Sequence, residues 1–407
     1  MHYFVRQLSP WLDLYDTESH FATSVPQRAR ICPPLLNAIF ATSAKHLTRV
    51  EKNRVGGQFK YDGKLVGNLR PETAIHYHNK CIEHLLSLSE SPPEMENENL
   101  LAAAIILRFY EEVDAPSIAE DMESAVSGIR VFLSTQAMSA SGSKLCRATY
   151  WVALRQEALT AFAKQRPFRL PLGPCLPFRS FEPAEDAVWT NRLVIYLADV
   201  LQFCFGVDEL PSPAVLQTHY SATANTGIHT AGTFAERVAC YEDLVAFDTY
   251  WEEHKPPSFE PIHARSPDST RRVIFPEIWF VGSCHVIGIQ HLELARILLT
   301  VYNPSILHLG LERHETLQSV DQKVKKAVLR LCGIATTNRD IPPALLTACI
   351  AIAICGDRFD DRLEQQALLG VLAELEEEHA WPTRVTQAQL KRAWGWEGAS
   401  CIWTNPR

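Results

Sequence analysis

The 407-residue sequence lacks most of the short motifs that announce a chemistry. It has no pair of cysteines two residues apart, the usual knuckle of a structural zinc site. Its closest cysteines, Cys349 and Cys355, would stand about 240° apart around a helix. There is no glycine-rich phosphate loop and no Gly-x-Ser-x-Gly elbow, so neither nucleotide chemistry nor a hydrolase serine is signalled. Basic residues gather only in pairs such as Arg271-Arg272, Lys325-Lys326 and Lys391-Arg392. With 39 Lys+Arg against 47 Asp+Glu and a net charge of -8, a phosphate-neutralising DNA surface is not expected. The most apolar run, Ala344 to Cys355, falls short of the roughly 20 residues needed to cross a membrane. Met1 to Leu14 has no basic segment leading into an apolar core, so no secretory signal is expected. Eleven scattered cysteines and no asparagine glycosylation sequon point to free, mostly buried thiols in a reducing compartment.

What is present is helix. Hydrophobic residues make up 46% and charged residues 21%, enough for a sizeable core. Apolar residues recur at three- and four-residue steps almost throughout, whereas alternating segments, a βαβ rhythm and fixed-period repeats are missing. The pattern predicts an all-α, single large domain of about ten to twelve helices with no significant sheet, over residues 1–397, with a C-terminal tail at 398–407. Pro34 and Pro71 sit where first-turn prolines belong. Helices are expected from Pro34, from Pro71 to about Ser89, Leu100 to Val113, Glu123 to Met138, Lys144 to Gln165, Ala187 to Phe205 and Phe234 to His254. A long, kinked helix over Arg272 to Tyr302 follows, then Glu315 to Thr337, Pro343 to Cys355, Arg362 to Glu378 and Thr386 to Trp394. Ser91 to Asn99 reads as a polar loop, the proline-rich Pro167 to Pro183 as an extended segment, and Pro211 to Thr233 as a mobile loop.

Several clusters could carry chemistry, and each has a plainer explanation. His76, His78, Cys81 and His84 drift around a helix surface and do not converge on a metal. Gly282-Ser283-Cys284-His285 sets reactive types side by side, but neighbours on a helix point in different directions. Asp360-Asp361-Arg362-Leu363-Glu364 fits the loose acidic pattern that holds magnesium-diphosphate, and equally fits a capped helix start. Arg155 shares the buried-looking face of Trp151 and Leu159, so an ion pair with a carboxylate of a neighbouring helix is expected, Glu157 lying in the same interruption of an apolar run. Trp394 shares a face with Leu390, and Trp396 follows Gly395; with Trp381 they are expected to pin the closing helix onto the body. No catalytic, cofactor-binding or metal-binding residue is assigned.

Longer stretches carry a resemblance. QLSPWLDLYDTESHFATSVPQRARICPPLLNAIFATSAKHL, LLAAAIILRFYEEVDAP, ATYWVALRQEALTAF and GIQHLELARILLTVYNP resemble the fungal-specific transcription factor domain, the second family of that name. So does the closing block LCGIATTNRDIPPALLTACIAIAICGDRFDDRLEQQALLGVLAELEEEHAWPT with Trp394-Gly395-Trp396, giving coverage of about residues 3 to 397. Two departures stand out: EDMESAVSGIRVFL lacks the family's tryptophan and histidine-leucine pair, and no six-cysteine zinc cluster is present in this chain. The resemblance implies an α-helical regulatory domain of a zinc-cluster regulator, without catalytic residues or direct DNA contacts, working in the nucleus. It implies partners among full-length zinc-cluster regulators or the transcription machinery, a small-molecule effector, or a second copy of the chain. Two other classes stay open: the scaffold recruited as an enzyme of secondary metabolism, marked by a pocket with convergent titratable groups, and a plain dimerisation domain, marked by an apolar patch.

Overall fold

The computed structural model describes residues 1–87, 94–115, 143–206, 234–268, 272–306, 310 and 312–396, with side chains throughout except at 86, 87 and 94–97. The expected helix over Glu123 to Met138, the mobile loop over Pro211 to Thr233 and the tail at 398–407 lie outside the described residues. The fold is all-α, 71% helical, with two small sheets among the described residues.

The chain opens with a π-helical turn (Phe4–Leu8) into α1 (Ser9–Leu12), then α2 (Ser24–Ala29) and α3 (Pro33–Arg49). Prolines at the first positions of α3 fix the helical φ where no amide partner is needed. α4 (Pro71–Ser87) and α5 (Glu94–Asp114) pack against α3, and Thr42 Oγ1 donates to the Ile106 carbonyl at 3.0 Å to lock α3 onto α5. α6 (Lys144–Lys164) starts on a Ser143 cap accepting from the Cys146 amide and stops at Gln165 in left-handed conformation. α7 (Asp186–Phe205) and α8 (Phe234–His254) meet where Tyr196 stacks on Phe247 at 4.0 Å. α9 (Ser283–Val301) crosses α7, and α10 (Arg313–Thr337), α11 (Pro342–Cys355), α12 (Arg362–His379) and α13 (Arg384–Ala393) complete the array. α11 is apolar on all sides because helices surround it; Gln290 Nε2 of α9 donates to the Ala344 carbonyl at 2.9 Å. α9 is long and apolar enough to cross a membrane by length and composition, yet 78% of that stretch is buried among these helices. One continuous core runs from Tyr3 and Phe4 through Tyr150 and Val286 to Leu375 and Trp381.

Four expectations need correction. Ser91 to Asn99 is not all loop, since Glu94–Asn99 opens α5. The helix expected over Arg272 to Tyr302 begins only at Ser283; Glu277–Trp279 is a strand paired with His263–Arg265. That strand is claimed by tertiary partners: the Ile278 amide donates to Thr337 Oγ1, and Asn338 Nδ2 donates to the Ile278 carbonyl at 2.9 Å. A three-stranded meander, Arg54–Val55, Gln58–Tyr61 and Lys64–Leu65, turns at Gly56-Gly57 and at Asp62-Gly63, all with positive φ. Within the proline-rich passage, Gly173–Phe178 winds into a 3₁₀ turn.

Candidate functional site

Between α1, α5, α6, α9 and α11 lies a cavity of about 100 Å³, open to solvent at its mouth. Its aromatic wall is Trp11, Phe109 and Trp381: the two indoles stack at 4.7 Å and 12°, and Phe109 meets Trp381 edge-on at 4.9 Å. Leu12, Val152, Ile287, Leu346 and Ile350 supply aliphatic surface. The polar groups in the lining are Arg108, Arg155, Gln156, Thr160, His291 and Thr347, with Glu111, Glu112 and Lys164 also contributing.

Arg108 interrupts the apolar run of α5, and its side chain is buried. Its Nη2 donates to Thr160 Oγ1 at 2.7 Å, to the Gln156 carbonyl at 3.1 Å and to Glu157 at 3.4 Å. Its Nη1 has no hydrogen-bond partner among the described residues. Glu157, fully buried, also accepts from Arg166 at 2.5 and 3.1 Å and from the Arg169 amide at 3.1 Å. The ion pair expected for Arg155 is therefore made by Glu157 with Arg108 and Arg166. Arg155 itself donates to the Leu12 carbonyl at 2.9 Å and lies 4.6 Å above the Tyr15 ring, with no carboxylate in reach among the described residues. The reason is helical phase: Arg155 and Glu157 are two residues apart and leave α6 in different directions.

His291 on α9 is buried, and its Nδ1 stands 2.7 Å from the Ile287 carbonyl. That contact places the proton on Nδ1 and leaves Nε2 as an acceptor with no partner among the described residues. Burial pushes the imidazole down to about 4, so it is neutral at physiological pH. Gln156 Oε1 is likewise buried without a partner.

The other candidates fall elsewhere. Half-buried Trp151 packs edge-on against Phe178 at 5.0 Å, outside the cavity lining, and holds the proline-rich passage to α6. Trp394 Nε1 donates to the Gly356 carbonyl at 2.9 Å, and Trp396 Nε1 to Gln365 Oε1 at 2.8 Å beneath the Arg362 guanidinium. Asp361 caps α12, accepting from the amides of Leu363 and Glu364, and Asp360 pairs with Lys325 at 2.6 Å; both contacts serve the helix start. His76, His78, Cys81 and His84 scatter, with Cys81 donating to the Pro34 carbonyl and His78 stacked on Tyr110.

One grouping was not anticipated. Asp186, the first residue of α7, meets Cys284 and His285 in the first turn of α9, all three ligand atoms within 4.8 Å of one another. His285 Nε2 is 2.9 Å from Asp186, whose other oxygen accepts from Ser258 at 2.7 Å. Burial, then the Asp186 charge, raises the Cys284 thiol, so it is protonated and a poor nucleophile. Two positive helix N-termini converge there, which disfavours a cation. The link to Asp186 spans 99 residues and left no local signal.

Comparison with known proteins points to a role in transcription. Residues 1–136 match the family described as the fungal specific transcription factor domain, the family whose resemblance the sequence carries. The block read as the strongest resemblance lies beyond those residues. Across 98% of this chain, the sequence is 23% identical to a protein named transcription activator AMTR1 of Alternaria alternata. The chain spans 63% of the length of that curated relative. No solved structure matches.

Proposed function

We propose that this chain is the regulatory part of a fungal transcription regulator, and that the cavity between α5, α6, α9 and α11 receives a small-molecule effector. The observation that carries the reading is the cavity itself: apolar walls enclosing buried polar atoms, Arg108 Nη1, Gln156 Oε1 and His291 Nε2, that find no partner among the described residues. Buried polar groups are almost always satisfied, and each one left open costs about 1–3 kcal/mol. A ligand that completes them stabilises one arrangement of five helices and so gives binding a route to transcriptional output. The name of the relative favours activation over repression. Nuclear action, with a zinc-cluster regulator, the transcription machinery or a second copy as partner, follows from the same reading.

The enzyme alternative draws less support. The cavity's histidine is neutral and tied to its own helix, and the Asp186–Cys284–His285 grouping lies outside the lining. The test is to fill the cavity with Leu346→Trp and read a reporter in fungal cells. Output should become insensitive to the growth condition that triggers it while the thermal midpoint stays within a few degrees. Unchanged, condition-dependent output from a folded Leu346→Trp protein would remove the cavity from the account.

A further inference from the structure

We propose that the cavity selects carboxylic acids with an aromatic or apolar body; this rests on the effector reading above and names the ligand class. Two buried guanidiniums border the cavity, one without a carboxylate among the described residues and one with a donor left open. Arg155, 6% exposed, meets a carbonyl and an aromatic face but no carboxylate among the described residues. Arg108, 3% exposed, pairs with Glu112 at 3.4 Å and with Glu157, which it shares with Arg166, yet leaves Nη1 without a partner among the described residues. A buried cation is costly unless it is paired and hydrogen-bonded. The planar guanidinium presents donors at the spacing of a carboxylate, so an acid supplies both the missing charge and the missing acceptor.

The rest of the wall chooses among anions. Trp11, Trp381, Leu346 and Ile350 present mostly carbon, which buries an aromatic or branched skeleton far better than the oxygens of a strongly hydrated phosphate ester. His291 Nε2, an acceptor, adds a place for one hydroxyl or N–H on that skeleton. Ordered water could satisfy the same polar atoms, but it would leave the charge of Arg155 uncompensated.

The experiment compares matched pairs on the full chain: indole-3-propionate, 3-phenylpropionate and decanoate, each against its primary amide, by titration calorimetry and thermal midpoint. At least one acid should bind tenfold or more tightly than its amide and raise the midpoint at saturating concentration. Arg155→Met should shrink that preference to threefold or less, while Arg155→Lys retains it. Equal binding of acid and amide would overturn the carboxylate assignment and leave the cavity reading standing. An acid preference undiminished in folded Arg155→Met protein would overturn the assignment of the anion to this site. Failure of every acid and amide to bind wild type overturns both, and the polar atoms then belong to water.

Discussion

Trp381 stacks on Trp11 and forms the aromatic end of the cavity, so it serves packing and site at once. Trp381→Ala should cost about 3–5 kcal/mol, as for other buried aromatics, and denaturant unfolding would measure it. Trp394 is only half-buried, with one indole hydrogen bond to Gly356. Its replacement by alanine should cost less, about 2–3 kcal/mol, because part of the ring already faces water. A Trp394→Ala midpoint equal to wild type would make that ring a surface hook for a partner instead of an anchor. The site was half legible at this scale. A charge inside an apolar helical run marked Arg155, and the same signal was present at Arg108 in LLAAAIILRFY, where it went unread. What spacing could not tell is which guanidinium Glu157 would face, because that depends on how α5 lies across α6.

At the scale of elements, Gly333 shows how two pieces are seated. A Cβ there would lie 2.3 Å from the Pro276 carbonyl, backbone that cannot swing away. Gly333→Ala gains roughly 1 kcal/mol in helix propensity. The clash should outweigh it, giving a net loss of about 1–3 kcal/mol by thermal denaturation. Displacing the Glu277–Trp279 strand would also loosen its bonds to Thr337 and Asn338. The long helices were legible from period and from prolines at their starts, with Phe234–His254 read to the residue. The strands were not. Glu277–Trp279 is three residues of an apolar stretch that a helix pattern also accommodates, and its register is set by α10, far along the chain. The meander at Arg54–Leu65 did carry its turn chemistry, Gly-Gly and Asp-Gly with positive φ, but its strands are too short to show alternation.

For the whole molecule, buried histidines set the response to acid. Burial, then the charge of His379, drives His46 down to about 3, and burial drives His291 down to about 4. Unfolded, each takes up a proton near pH 6.5; folded, neither does until far lower pH, so the unfolded state binds more protons in between. Stability is therefore lost as pH falls from about 6.5 toward 4, by about 1.4 kcal/mol per pH unit for each of the two. Asp13, raised to about 6 mainly by burial, works the other way: its folded form holds a proton between 3.8 and about 6, which stabilises the fold as pH drops through that window. His379, which burial lowers to about 4, adds to the same loss, and three histidines outweigh one carboxyl, so the midpoint should be level from pH 8 to 7 and decline below 6.5. His46→Gln, which can keep a hydrogen bond to the Tyr3 hydroxyl, should flatten that decline; an unchanged slope would show that His46 is not its source.

The stacking of Trp11 on Trp381 also has a consequence in time. Ribosomes add about 5–20 residues per second, so the first indole leaves the tunnel some tens of seconds before its partner exists. Until Pro342–Cys355 is made, Leu12 and Phe109 lack the α11 wall that faces them across the cavity of the finished fold. A nascent chain of this protein, arrested before Pro342, should accordingly hold chaperones that release it once α11 and Trp381 have emerged.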